Sequence, residues 1–309
     1  MAYNAEATRP IGYLVTAANW NQMNDNIDFL AATSRHNLLT NGGFEVWARG
    51  GGPFTADLAY TADRWVMDEV GTTALSVAPD STNQETGVYC AAVTVSSYNT
   101  ESYLFQKLEH FHGLRGQEVT LAVRVKTTTA AAVRVQITDG VGTTTSATYH
   151  TGAGAYETLL VTRTISASAT SVQVYVVFNA NCTAYLDNAT LTIGPIHADY
   201  VPSLLADVVD ACQRYYYDGG GLSGALGDRG GMIAFFTDGT NTRVYGANAQ
   251  FPTRMAGDPT VTGTNLTNNN FPATPGITNS SPTGAYEERT ASATGYCNYI
   301  THITAEFNP

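Results

Sequence analysis

Hydrophobic residues fall into three successive patterns along this chain. Near its start Trp20, Met23, Ile27 and Leu30 recur at spacings of three, four and three, an a/d seam of about two heptads. Thr16 stands where a helix cap belongs, and the opposite face is Asn, Gln and Asp. So short a seam does not hold a coiled coil alone in water. It requires copies of itself or a docking surface; lying on the chain's own downstream domain is the alternative. From about Asn37 the period changes to two. Val119, Leu121, Val123 and Val125 alternate with Thr120, Ala122 and Arg124, and Val133, Val135 and Ile137 alternate with Arg134 and Gln136. Thr158 to Ile165 follows, then the nearly continuous and therefore central run Val172 to Phe178, then Ala184 to Ile193. Turn signals such as Asp139-Gly140 separate these runs, and no helical period intervenes. Strands without crossover helices predict antiparallel sheets packed as a sandwich.

Beyond Pro202, Leu204, Leu205, Val208, Val209 and Cys212 form one apolar helical stripe. Residues 218–231 are glycine-rich, and short strand-like runs follow at Met232–Phe236, Arg243–Tyr245, Thr260–Thr262 and Tyr299–Ile303. Asn265 to Pro282 reads as a polar loop. The expected fold is mainly β: a short N-terminal helix in 1–36, a jelly-roll sandwich in 37–195, and in 196–309 a short linking helix followed by a small C-terminal β domain.

Composition narrows the function. Charged residues are only 13% of the 309, and the net charge is -11. No Lys/Arg stripe is present to displace counterions, which argues against nucleic acid and against anionic membrane surfaces. No run is long and apolar enough to span a bilayer. Met1 to Pro10 carries Glu6 and Arg9 and no apolar core, unlike a signal peptide. Cys90, Cys182, Cys212 and Cys297 follow no ligand spacing and read as free thiols, with a Cys90–Cys182 bridge as the alternative.

Two resemblances give this outline a context. Asp210-Ala211-Cys212-Gln213-Arg214-Tyr215-Tyr216-Tyr217, followed by Phe251-Pro252-Thr253-Arg254-Met255 and Pro259-Thr260-Val261-Thr262, resembles the carboxy-terminal region of bacteriophage tail-fibre and virion proteins. The resemblance implies a virion surface and assembly in the host cytoplasm. It also implies an N-terminal segment that attaches to other virion proteins or trimerises through Trp20, Met23, Ile27 and Leu30. Asn37 to Glu45 and Tyr185 to Leu191 resemble the opening and closing strands of jelly-roll carbohydrate-binding modules. In those modules a structural calcium ion sits where the two strands meet. The matching positions are Glu45 and Asp187, whose hard oxygen donors suit calcium. Asp187 shares strand parity with Tyr185, Ala189, Leu191 and Ile193, which places its carboxylate on the face expected to be buried. Capping of backbone groups, or pairing with Arg49 or Arg64, is the alternative role for Asp187.

Sugar rings stack on flat side chains, and the chain has 18 tyrosines. Trp47, Tyr98 and Tyr103 are the candidate glycan contacts; Trp65 reads as core. Of Tyr215, Tyr216 and Tyr217, all at one helix end, at least one is expected to be exposed or at a subunit interface. His110 and His112 share a face of an extended run, but no third ligand is placed near them. No nucleophile elbow, zinc-protease or phosphate-loop motif occurs, and no carboxylate pair is placed for glycoside hydrolysis. The sequence therefore points to a non-enzymatic homotrimeric fibre, on phage head or tail, that binds host surface glycans. A decoration protein without sugar binding, a module of a cellular enzyme and a small glycan hydrolase are the alternatives.

Overall fold

A computed structural model describes residues 16–33, 36–218, 233–237, 244–269, 277–290 and 295–307. The chain divides into two compact units. The first runs to Pro202 but omits Val46–Gly51 and Ala62–Arg64, which cluster with Ser203–Pro309 in the second.

Helix α1 spans Ala17–Thr33. Its start is closed reciprocally: Asn19 N–H donates to Thr16 Oγ1 at 3.3 Å, and Thr16 N–H donates to Asn19 Oδ1 at 3.2 Å. This is a capping box with Asn in the third position, which satisfies two backbone donors at the helix start. On the seam, Trp20 is 56% exposed, Met23 40% and Ile27 54%. The side chain of Leu30 lies outside the described residues.

The first unit is a sandwich of two five-stranded antiparallel sheets. Its strands are β1 (Val66–Asp68), β2 (Ala74–Asp80), β3 (Cys90–Ser97), β4 (Ser102–Lys107), β5 (Glu118–Thr127), β6 (Val133–Thr138), β7 (Thr143–Thr145), β8 (Tyr156–Thr164), β9 (Gln173–Phe178) and β10 (Cys182–Ile193). One sheet runs β1-β4-β9-β6-β7 and the other β2-β3-β10-β5-β8, the layout of a jelly roll. The alternating runs behave as their period dictates: Val119, Leu121, Val123 and Val125 of β5 and Val133, Val135 and Ile137 of β6 are fully buried. The apolar run at β9 lies between β4 and β6, at the centre of its sheet. Strands β1 to β4 carry a weaker pattern, with Ala, Ser and Thr diluting the apolar positions, and the sequence reading did not identify them.

The opening turn is fixed by close approach. A Cβ on Gly42 would lie 2.2 Å from the carbonyl oxygen of Ala189, and one on Gly43 would lie 2.4 Å from the hydroxyl of Tyr200. Gly42 uses that proximity to accept the Ala189 N–H at 2.8 Å, which ties the opening turn to β10. Under this turn Phe44 and Trp65, both fully buried, pack at 4.8 Å between ring centroids, and Trp65 Nε1 donates to the Asn41 carbonyl at 3.0 Å.

In the second unit α2 is Leu205–Gln213. Its strands are β11 (Tyr216–Asp218), β12 (Ile233–Thr237), β13 (Val244–Gln250), β14 (Thr260–Asn269), β15 (Ile277–Ser281), β16 (Gly284–Thr290) and β17 (Gly295–Glu306). Strand β17 pairs with β14 along one edge and with β11 and β12 in succession along the other; β13, β16 and β15 form a second sheet. The expected polar loop at 265–282 is therefore corrected. Its first residues extend β14 and its last include β15, because backbone pairing to β17 and β16 overrides the low strand propensity of Asn.

The paired sequence runs of this unit meet in its core. Phe251, Met255, Ala285 and Ala305 are buried, with Tyr217, Val261, Ile277 and Phe307 against them. Tyr217 meets Phe251 at 5.5 Å, and Ala256 N–H donates to the Arg214 carbonyl at 2.9 Å. None of the three tyrosines is exposed: Tyr215 is buried and Tyr216 and Tyr217 are half-buried. The helix ends at Gln213 and Tyr216 begins a strand, so successive rings diverge. Arg64 covers Tyr215 at 3.6 Å and Arg49 covers Tyr216 at 3.8 Å.

Candidate functional site

The outer face of the β1-β4-β9-β6-β7 sheet gathers three aromatic rings. Register fixes them: Phe105 lies opposite Tyr175, itself opposite Gln136, while Tyr103 lies opposite Val177, itself opposite Arg134. Their sequence neighbours Leu104, Val176 and Val135 point into the core. Strand alternation therefore sends the rings outward. Tyr103 and Tyr175 meet edge to face at 5.4 Å and 74°, and Phe105 and Tyr175 stack at 5.3 Å and 30°. All three rings are half-buried.

Polar groups frame these rings. The Tyr175 hydroxyl donates to Gln173 Oε1, and Thr145 Oγ1 donates to Gln136 Oε1 at 3.0 Å. Arg134 pairs with Glu101 and lies 5.0 Å over the ring of Tyr149; Asn179 Nδ2 donates to the same Glu101 oxygen at 2.6 Å. Two buried atoms of this frame, Arg134 Nε and Asn179 Oδ1, have no hydrogen-bond partner among the described residues. Such groups normally find one. Burial, then the charges of Asp68 and Tyr103, pushes the Tyr175 phenol up to about 12, so it stays a hydroxyl donor. Flat apolar surface edged by donors and acceptors is what a pyranose presents in complement.

Of the sequence candidates, Tyr103 belongs to this face. Tyr98, 38% exposed, follows β3, and its charge acts on the Tyr103 phenol. Trp47, half-buried, belongs to the other unit. Phe105 and Tyr175 were missed. Their signal was present: both hold the outward parity of their strands, and Tyr175 interrupts an otherwise apolar run.

Asp187 is fully buried, but by a different route from the one parity implied. A β-bulge between Asp187 and Thr190 breaks the alternation of β10. Tyr185 and Asp187 face outward with Lys126 and Arg124; Ala189 and Leu191 face the core. The loop over Asp187 buries it. Asp187 Oδ2 accepts the N–H groups of Glu85 and Thr86 at 2.7 and 3.1 Å, and Oδ1 accepts that of Asn188 at 2.7 Å. Neither Arg49 nor Arg64 is its partner in these bonds. Desolvation outweighs the bonds and raises its carboxyl to about 6. Glu45 reaches the same loop, with Oε1 accepting the Val88 N–H at 2.9 Å. Both carboxylates thus converge on residues 85–88. They are hard oxygen donors, as calcium requires, although each already accepts backbone N–H groups. Among the described residues no group of three His, Cys, Asp or Glu side chains could hold a metal ion. Main-chain oxygens would have to complete the ligand set.

The histidine pair is corrected. His110 precedes a short 3-10 turn at Phe111–Leu114 that contains His112, so the run is not extended. His110 instead sits 3.1 Å from Glu109 at the surface. Cys90, Cys182 and Cys212 are buried free thiols. The antiparallel register puts Cys182 opposite Val95, at the far end of β3 from Cys90, which rules out a bridge between them.

No family model matches this chain, and no curated protein does. Among solved structures it is similar to the CBM22-1 xylan-binding domain of Xyn10C from Paenibacillus barcinonensis, at 15% identity and a TM-score of 0.37, over 52% of this chain and 97% of that one. A CBM4 structure is 19% identical with a TM-score of 0.37, over 50% of this chain and 98% of the other. The enzymatically active domain of tailspike protein 4 from bacteriophage CBA120 is 13% identical with a TM-score of 0.33, over 51% of this chain and 21% of that one.

Proposed function

We propose that this protein is a non-enzymatic surface component of a phage virion whose jelly-roll unit binds host glycans through the Tyr103, Phe105 and Tyr175 face. The observation that carries the reading is the set of three contacting outward rings on one sheet, edged by polar side chains. A sugar chain laid on this face stacks on the rings and meets Gln136, Gln173 and the Arg134–Glu101 pair at their edge.

The virion context rests on the sequence resemblance of the carboxy-terminal runs. In this chain the two runs pack on each other, Tyr217 against Phe251. The exposed seam of α1 supports a homotrimer or docking on another virion protein. Three weak sugar sites on one particle gain avidity through effective concentration. A structural calcium at Glu45 and Asp187 belongs to the same reading.

The test is a glycan array probed with the full chain and with Tyr175→Ala. The reading expects retention of a defined glycan set and at least tenfold weaker retention by the variant. Equal retention by both would remove the aromatic face from the function.

A further inference from the structure

We infer that the first unit carries a second ligand site on its other sheet, a small polar cleft that takes a single terminal pyranose of an uncharged sugar. The cleft lies on the outer face of β10, β5 and β8, on a floor of Thr190, Ala122 and Thr158. Its volume is ≈ 180 Å³. That is room for one sugar ring.

Both walls are built rather than incidental. One is the segment after β10, folded back over that strand. Thr190 Oγ1 donates to the Ala198 carbonyl at 3.2 Å and Thr192 Oγ1 to the Ile196 carbonyl at 3.3 Å. This wall presents His197 and Asp199. The other wall is made by the bulge of β10, where Asn188 adopts a φ of 50°. Asn enters that region more readily than other non-glycine residues, and the bulge re-aims its side chain. The turn sends Asn188 to Glu85, with Asn188 Nδ2 donating to Glu85 Oε2 at 3.2 Å.

The unused hydrogen-bonding capacity names the ligand. Arg124 donates to Glu85 through Nε at 2.7 Å and through Nη2, and to Thr158 Oγ1 at 3.0 Å through Nη1. A guanidinium has five N–H groups, so two remain for a ligand. His197 and Asp199 make no hydrogen bond to any described residue. One guanidinium faces two carboxylates, Glu85 and Asp199, so the lining disfavours an anionic guest. A carboxylate that accepts from adjacent hydroxyls, with guanidinium and imidazole as further partners, matches the rim of a neutral pyranose. The three-ring platform that suits an extended chain is on the opposite sheet. The two sites therefore take different ligands: one suits an extended glycan, the other the terminal residue of a separate one.

Saturation-transfer NMR on the intact chain tests this, with the methyl glycosides of D-glucose, D-galactose and L-rhamnose and with D-glucuronate as probes. At least one neutral glycoside is expected to receive saturation from the wild type and from Tyr175→Ala. The signal should fall at least fivefold in His197→Ala and in Asp199→Ala. Because both side chains lie at the rim, unchanged melting temperatures are expected, and Thr158→Val serves as a third variant should either fail to fold. Three results would overturn the inference: no transfer to any neutral glycoside, stronger transfer to glucuronate, or a signal abolished by Tyr175→Ala while persisting in the cleft variants. The last would return monosaccharide binding to the aromatic face and leave that reading standing.

Discussion

At the scale of single residues, Asp139 shows how one buried carboxylate organises a corner of the sandwich. It is fully buried at the β6–β7 turn and accepts N–H groups from Val141, Gly142 and Ser166 at 3.0, 2.9 and 2.9 Å. Arg163 pairs with it at 2.8 Å. Burial alone would raise its carboxyl; the backbone donors and Arg163 outweigh burial and hold it well below the usual value of 3.8. A depressed carboxylate contributes stability above its unfolded value and loses it as pH falls through the folded one. Asp139→Asn turns an acceptor into a donor facing N–H groups and leaves Arg163 without its charge. We expect a loss of about 3–5 kcal/mol in neutral urea melts, and a gap from wild type that narrows as pH drops below 3.8. A constant gap would assign the loss to packing alone. The Asp139-Gly140 turn was legible because turn chemistry is local. The burial of Asp187 and its capping of backbone groups were legible too, but the bulge that turns it outward was not, because it depends on pairing with β5 and leaves no mark in the residue order.

At the scale of elements, α1 carries its apolar seam on a helix whose seam-flanking positions are uncharged. Asn19, Asn24 and Asn26 border the seam, and Asp25 and Asp28 stand on the far side. Parallel copies would therefore meet without charge repulsion along the seam. Burying each such side chain contributes roughly 1.5–3 kcal/mol. Ile27→Asp should reduce the mass seen by light scattering to one chain while leaving the sandwich's melting temperature within a degree or two. A multi-chain mass in the variant would move the oligomer interface elsewhere. Strands β5, β6, β8, β9 and β10 could be read from alternation or a continuous apolar run because their core faces are regularly apolar, and α1 from its seam spacing although that seam is exposed; β7, β11 and β16 were not read. The continuation of β14 beyond Thr262 and the whole of β15 could not be read, since Asn and Thr enter them through backbone pairing alone. Tyr175 lies between these cases. Its strand was identified, but the partners that make its ring part of a platform come from strand β4, about seventy residues earlier, and only the register brings them together.

At the scale of the whole molecule, the chain couples a jelly roll that has two outward faces of different chemistry to a second unit built around paired sequence runs. The first unit's opening turn and closing strand are held by Gly42, Glu45 and Asp187, so the state of the two carboxylates bears on the entire sandwich. If calcium sits between them, a chelator should lower the melting temperature by several degrees and added calcium should restore it. An unchanged melt would mean that the backbone N–H groups alone satisfy both. Whether the Tyr103, Phe105 and Tyr175 face binds glycans is decided by a glycan array read with wild type and with Tyr175→Ala, both confirmed folded. We expect a discrete set of retained glycans and a drop of at least tenfold in the variant, about 1.4 kcal/mol or more. Binding that is absent in the wild type, or unchanged in the variant, would refute glycan recognition by this face.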